Sequence, residues 1–295
     1  MNHDAVGILA RRGLTEAGPA LRDLVAWLRA RDLAVLLEED TALLLEDVSG
    51  CDTMRGSDLA RRADALVVLG GDGTLLGASR LLGERCPPIL GVNFGSLGFL
   101  TEISLGELYP ALESVLTGDY AFDERKLLHA VVHRNGEEQA SADVLNDVVV
   151  TRAALSRIVE LEIAIDGRFV SSFRADGLIV SSTTGSTAYN LAAGGPILHP
   201  SLSAVVLTPI CPHTLTHRPL VVGDDLAIEV RVCDTREVEV HLSFDGQDGR
   251  PLTSEDTVTI TRSARRLRLV HAPTRDYFEV LRTKLRWGEP TARRR

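Results

Sequence analysis

The residues best suited to chemistry lie in one stretch, Leu66-Val-Val-Leu69-Gly70-Gly71-Asp72-Gly73-Thr74-Leu-Leu-Gly77. An apolar run ends there in a glycine cluster, and a helical pattern starts with Thr74. Glycines let the backbone turn tightly and come close to a ligand, and a helix start favours anions. Asp72 is out of place in a simple dinucleotide fingerprint, because its charge would oppose a pyrophosphate. A carboxylate among phosphate-binding amides makes sense where it meets a magnesium ion or takes a proton from an attacking hydroxyl. The plainer reading is an Asp-Gly turn that caps Thr74–Leu82, but a cap needs no two preceding glycines. The GxxxxGK[ST] loop and the protein-kinase motifs are both missing, and only two of the 32 basic residues are lysines, Lys126 and Lys284. Phosphoryl transfer here must run without a loop lysine.

Two further stretches carry polar groups at useful places. Leu145-Asn146-Asp147-Val148-Val149 sets an amide and a carboxylate inside an apolar strand. An amide can pair with an adenine edge, and a carboxylate can hold two ribose hydroxyls; a strand-edge Asn-Asp turn is the alternative. The densest block runs from Ser171 to Ile197 and contains Arg174, Asp176-Gly177, and Thr184-Gly185-Ser186-Thr187-Ala188-Tyr189-Asn190-Leu191-Ala192. A strand delivers a Gly-Ser-Thr turn that opens a small-residue helix, so hydroxyls and free amides converge at a helix start. Tyr189 can stack on a base, and Ala188, Ala192 and Ala193 let a flat ligand come near. Cys211-Pro-His213-Thr-Leu-Thr-His217 has some metal-ligand character, but a loop with polar caps is preferred, since no second ligand pair follows.

The elements that must position these groups fall into two kinds. Ala5–Ala10, Ala34–Leu37, Ala65–Leu69 and Ile89–Val92 read as continuous apolar strands, with a helical pattern over Thr15–Ala30. That alternation predicts a doubly wound α/β unit with its ligand beyond the carboxyl ends of the strands. After about residue 122 the pattern changes to short alternating strands. These are predicted at 127–133, 143–150, 157–165, 169–173, 178–182, 204–209, 226–233, 238–244 and 257–261. Asn135-Gly136, Asp166-Gly167 and Asp245-Gly246 are hairpin signals. The expected fold class is α/β plus β, with a mostly antiparallel second domain. Domain bounds of 1–122, joined by 266–295, and 123–265 are expected, with a helical pattern from Pro273 toward the basic Arg293–Arg295 tail. A length of 295 residues suits two domains at about 100–200 residues each.

The net charge of -9 argues against a nucleic-acid partner, which needs a basic face. No stretch approaches the roughly 18 apolar residues of a membrane span. No basic segment precedes an apolar run at the start, and the four cysteines form no CxxC pair. A cytoplasmic protein with free thiols is expected.

Gly70-Gly71-Asp72-Gly73-Thr74 resembles the GGDGT signature shared by NAD kinases, diacylglycerol kinases and sphingosine kinases, and in variant form by phosphofructokinases. Asn146-Asp147 is similar to the bacterial form of the short Asn-acidic motif of NAD kinases. The block over 176–197 looks like their DGLI-STPTGSTAY-L-AGGPI signature, with Thr183 where the family usually has proline. Pro212-His213-Thr214-Leu215, Arg218-Pro219 and Phe244-Asp245-Gly246-Gln247 also fit. The resemblance runs from about residue 65 to 250 and disfavours the lipid kinases, which lack the GSTAYN block.

The resemblance to bacterial-type ATP-NAD kinases implies phosphorylation of the adenosine-ribose 2′-hydroxyl of NAD by ATP with magnesium, at a site between two domains. It implies that Asp72 orients the hydroxyl and accepts its proton, and that Gly73 lies against the nucleotide. Gly70, Gly71 and Thr74 would form the phosphate-binding turn. Asn146, Asp147, Arg157, Arg174 and Asp176 would line the dinucleotide, Thr187, Ala188, Tyr189, Asn190, Leu191 and Ala192 would enclose an adenosine moiety, and Gln247 would join them. No metal ligand is assigned, although a divalent cation is expected with ATP. The family habit implies a homodimer or homotetramer with NAD and ATP as partners and no membrane. The rival of another class is a non-catalytic NAD(P)-binding sensor; a lipid or sphingoid kinase is the second rival.

Overall fold

The computed structural model describes residues 4–83, 85–153, 158–214, 216–233, 239–272 and 275–287. The chain divides into two units, Met1–Glu124 with Leu267–Arg295, and Arg125–Arg266.

In the first unit the strands Asp52–Met54, Ala34–Glu38, Ala5–Ala10, Ala65–Gly70 and Pro88–Asn93 lie side by side in that order, every pairing parallel. Arg268 and Leu269 continue the sheet beyond Pro88 and Ile89. The two inner strands are buried on both faces, with Val6, Ile8, Ala65, Val67 and Leu69 at 8% exposure or less. That is why they read as unbroken apolar runs rather than alternating ones. Helices Gly18–Arg29 and Leu108–Thr117 supply Leu21, Leu24, Leu28, Leu108, Leu112 and Val115 to the same core. Strand order reverses between Ala5–Ala10 and Ala65–Gly70, and a crevice opens at such a point beyond the strand ends.

The second unit is built on antiparallel pairs. One sheet runs Leu220–Gly223, Ala204–Ile210, Gly177–Ser181, Asp147–Arg152, Val240–Phe244, Asp248–Leu252. Arg168–Ala175, Val159–Ile165, Ile228–Val232 and the start of Asp256–Val270 form another. Their inward residues share one core, with Val148, Val150, Leu178, Val180 and Leu242 meeting Leu161, Ile163, Val230 and Val258. All three hairpin signals are turns with two left-handed residues: Asn135 and Gly136 at φ 52° and 83°, Asp166 and Gly167 at 48° and 70°, Asp245 and Gly246 at 51° and 63°. Those angles match the type I′ turn that the strand twist prefers.

Three expectations are corrected. The helix after the glycine cluster is Asp72–Leu81 with Gly71 as its cap, so Asp72 lies inside the first turn and not before it. The single strand predicted over 143–150 is two strands, Glu137–Val144 and Asp147–Arg152, in different sheets. The chain leaves one ladder at Leu145-Asn146 because the amides of residues 145–147 bond to the Asp245 carboxylate instead. Among the described residues the predicted C-terminal helix runs over Tyr277–Leu285 and ends at Arg286, which is left-handed at φ 54°; the rest of the predicted range, 273–274 and 288–295, lies outside the described residues. No helix among the described residues is long and apolar enough to cross a membrane.

Candidate functional site

In the first unit the buried strand Ala65–Gly70 hands the chain to extended Gly71, and the helix starts at Asp72. The Thr74 and Leu75 amides donate to the Gly71 carbonyl at 2.9 and 3.3 Å. An acidic residue in the first turn complements the positive end of the helix. The Asp72 carboxylate does not hang free. Its Oδ2 accepts the Phe99 N–H at 2.9 Å, while Oδ1 accepts Leu100 N–H at 3.0 Å, Thr101 N–H at 3.1 Å and the Thr101 hydroxyl at 3.1 Å. A carboxylate offers about four acceptor positions, two per oxygen. Oδ1 is therefore saturated, and Oδ2 keeps one lone pair for a hydroxyl donor.

The loop that grips Asp72 is itself anchored. Glu102 is 3% exposed and faces His271 Nδ1 at 3.6 Å, and His271 Nε2 bonds Asp123 at 2.8 Å. The hydrogen bond to Asp123, and then the Glu102 carboxylate beside the ring, push the His271 pKa up to about 9, so it is a cation at neutral pH. Arg275 donates to the Glu102 carbonyl and to Glu107. Lys284 lies 5.8 Å from the Phe99 ring centroid, within cation–π range.

Beyond the ends of the strands lies a cavity of about 620 Å³ lined by Ala10, Arg11, Arg12, Asp40, Gly73 and Gly77 among others. Nothing stands within 4 Å of where side chains of Gly71, Gly73 and Gly77 would begin, so a ligand can reach that backbone. Gly70 is closed off, packed on Thr74. The cavity contains two arginines and no lysine, as the sequence requires of any phosphate site here.

In the second unit Asn146 and Asp147 stand where the chain changes sheet. The Asn146 amide side chain is half-buried and makes no hydrogen bond among the described residues. Asp147 is 5% exposed, and burial, helped by the nearby Asp245 charge, pushes its carboxyl up to about 7. Asp176 already bonds Arg152 Nε at 2.6 Å. Arg174 is exposed, whereas Arg157 lies outside the described residues.

The Gly-Ser-Thr turn is shorter than expected: a 3-10 turn over Gly185–Thr187, then one α-turn over Tyr189–Ala192. Its side chains divide into two sets. Ser186 donates to the Thr183 carbonyl at 2.7 Å and accepts Leu198 N–H at 3.0 Å. Asn190 is 0% exposed, donates to the Ser186 and Pro196 carbonyls and accepts the Thr208 hydroxyl at 2.6 Å. The Asn190 side chain thus braces the turn from inside the unit. Ala188, Tyr189 and Ala192 face outward, with Thr187 and Leu191 half-buried. The Thr183 hydroxyl, where the family usually has proline, donates to the Pro200 carbonyl at 3.4 Å. Gln247 is exposed on the Asp245 hairpin.

Sequence reasoning missed Arg152, the clamp at residues 99–101 and the cavity arginines. Arg152 lies in the same strand as Asp147, which is a signal of sorts; the clamp is mostly backbone and leaves none.

A parallel sheet with a glycine turn, a gripped carboxylate and an arginine-bearing cavity, together with an antiparallel unit carrying a Gly-Ser-Thr turn, defines a nucleotide-binding phosphotransferase class. Residues 6–120 match the ATP-NAD kinase N-terminal domain, and residues 145–272 match the ATP-NAD kinase C-terminal domain. The chain is 52% identical over 267 residues to an NAD kinase of Geotalea daltonii, covering 90% of this chain and 93% of that one. It is 49% identical over 284 residues to an NAD kinase of Citrifermentans bemidjiense, covering 96% and 99%. The chain belongs to the ATP-NAD kinase family. Its fold is shared by a yeast NADH kinase solved with NADH, at a TM-score of 0.91 and 24% identity over 100% of this chain and 90% of that one. An Archaeoglobus fulgidus NAD kinase solved with ATP has a TM-score of 0.73 at 24% identity, covering 95% and 99%.

Proposed function

We propose that this chain transfers the γ-phosphoryl group of ATP to the 2′-hydroxyl of the adenosine ribose of NAD, giving NADP and ADP. The observation that carries the reading is the Asp72 carboxylate, fixed by four donors with one lone pair left on Oδ2. The ribose oxygen forms the new bond to phosphorus, the bond to the ADP oxygen breaks, and the hydroxyl proton passes to Asp72. Because the transition state of phosphoryl transfer is loose, holding the hydroxyl in line matters more than basicity.

Asn146 pairs with the adenine edge and Asp147 with ribose hydroxyls, while Thr187, Ala188, Tyr189, Asn190, Leu191 and Ala192 enclose the adenosine, Asn190 as the buried brace of that wall. Arg174 and Asp176, the latter steadied by Arg152, meet polar groups of the dinucleotide, and Arg157 and Gln247 complete that set. Gly70, Gly71 and Thr74 shape the turn, and Gly73 lies against phosphate. Arg11 and Arg12 answer the donor's negative charge.

Magnesium is usually held by one or two carboxylates plus the substrate's phosphates, not by a protein cage. The cavity wall fits that demand, since it carries Asp40, beside Arg12 at 3.8 Å, and Glu38, whose Oε2 accepts the Thr41 N–H at 2.9 Å. Asp40 would hold the ion, which would supply charge neutralisation at the phosphates. The homodimer or homotetramer and the cytoplasmic location implied by the family resemblance belong to the same reading.

The test is a coupled assay with purified protein, NAD and magnesium-ATP, reading NADP. NADP formation is expected. Binding of NAD without turnover would revive the sensor, and phosphorylation of a dispersed lipid in place of NAD would revive the lipid kinase.

Asp147 adds a pH dependence. Its carboxyl is neutral below about 7 and charged above, and hydroxyl donors prefer the charged form. The KM for NAD is expected to fall roughly tenfold between pH 6 and pH 8, as the competent fraction rises. Asp147→Asn should leave a high KM with no such slope; an unchanged slope in that variant would refute the assignment.

A further inference from the structure

We propose that Asp245 is a positioning residue for the adenosine subsite, its carboxylate gathering the backbone amides of Leu145, Asn146 and Asp147 so that the Asn146 and Asp147 side chains are presented to NAD. The inference rests on the function proposed above, and all of its geometry lies within the second unit.

A segment that leaves a β-ladder must find new partners for its N–H groups. Here one side chain supplies them. Asp245 Oδ1 accepts Asn146 N–H at 2.7 Å and Asp147 N–H at 3.1 Å, and Oδ2 accepts Leu145 N–H at 3.0 Å. In return the Asp245 N–H donates to the Asp147 carbonyl at 2.9 Å. The carbonyl side of the same segment is held by the Gly-Ser-Thr region. Ser182 N–H donates to the Asn146 carbonyl at 2.8 Å, and the Ser182 hydroxyl donates to the Leu145 carbonyl at 2.5 Å. A side chain at Gly185 would begin 2.2 Å from the Asn146 carbonyl oxygen, so that turn sits directly against the segment. The backbone of residues 145–147 is thereby fixed on both edges, which leaves the Asn146 amide for a ligand.

The turn does not explain the residue type. At the first position of a type I′ hairpin asparagine serves as well as aspartate. Three converging N–H donors do explain it, because an ionised carboxylate is acceptor-only and an amide is not. The choice also carries a cost, since Asp245 is 7% exposed and its charge lies near buried Asp147. A group kept for stability alone would avoid two neighbouring buried carboxyls.

Asp245→Asn keeps the left-handed turn but brings an NH₂ donor against an N–H. The expected result is a roughly tenfold rise in KM for NAD. The kcat should stay within about twofold, and the KM for ATP should not change. Amide hydrogen exchange should quicken at Leu145, Asn146 and Asp147 and not across the sheets. In an Asn146→Ala background the same substitution should raise KM less, since the part of its effect that passes through Asn146 is already lost and only the Asp147 part remains. An unchanged KM for NAD, equal losses for NAD and ATP, full additivity with Asn146→Ala, or a variant that does not fold would each overturn the proposal. A wild-type protein that makes no NADP would instead refute the functional reading, and the exchange measurement would still report on the clamp.

Discussion

Asp72→Asn is expected to lower turnover by orders of magnitude while NAD still binds. The substitution keeps the size and shape of the side chain, so the fold has little reason to change. It removes two things at once. An amide cannot take the hydroxyl proton, and general base catalysis contributes about 10²–10⁴-fold. It also cannot satisfy the grip of the loop. With the amide oxygen at the Oδ1 position, facing Leu100, Thr101 and the Thr101 hydroxyl, the NH₂ must point at the Phe99 N–H. The flipped amide sets its NH₂ against two N–H donors and a hydroxyl. Either way a donor meets a donor, at a cost of about 1–3 kcal/mol. The check pairs a steady-state NADP assay with direct titration of NAD. Near-normal turnover would sink the role assigned to Asp72, and loss of NAD binding would recast it as a binding residue.

The elements were legible where their cause is local. Ala5–Ala10 has the predicted bounds because a strand buried on both faces is written as one apolar run. Hairpin turns at Asp166-Gly167 and Asp245-Gly246 follow from two residues that tolerate a positive φ. The strand that ends in the glycine cluster and the helix that follows it could be read from types and spacing alone. The break at Leu145-Asn146 could not, because its cause lies 98–100 residues away in the Asp245 side chain. Val144 through Val150 is as apolar as a single strand, and only the redirected amides show otherwise. Arg152 and Asp176 meet because Arg152 N–H pairs with the Asp176 carbonyl, a register that no local pattern encodes. The burial of Asn190 was not legible either, since its partners Pro196 and Thr208 come from outside the turn.

The lysine shortage gains a physical reading. Lys126 is engaged with Asp224 at 2.9 Å, and Lys284 lies against Phe99. Neither lines the cavity, whose two cationic side chains are Arg11 and Arg12, the groups that the proposed function sets against the donor's phosphates. A planar guanidinium forks onto phosphate oxygens and stays charged, so a wall without lysine loses no phosphate-binding capacity.

Gly98→Ala should be the second most damaging change, without touching any reacting group. A Cβ at residue 98 would sit 2.1 Å from Asp72 Oδ1 and 2.3 Å from Thr101 Oγ1, closer than atoms pack. Either those two side chains retreat or the loop does. Both outcomes break the grip, since Gly98 N–H also bonds the Thr101 carbonyl at 3.2 Å, closing the turn that aims residues 99–101 at the carboxylate. The core beneath is untouched, so thermal stability should fall by only about 1–3 kcal/mol, the usual penalty for overpacking. Turnover is a different matter, because a misplacement of about 1 Å can cost roughly a hundredfold. Gly106→Ala, a few residues on and with open space around it, should behave as the wild type. A Gly98→Ala protein that turns over normally would mean the clamp follows Asp72 passively. A hundredfold loss with NAD affinity retained would show that the carboxylate's direction, and not its presence alone, is what the loop supplies.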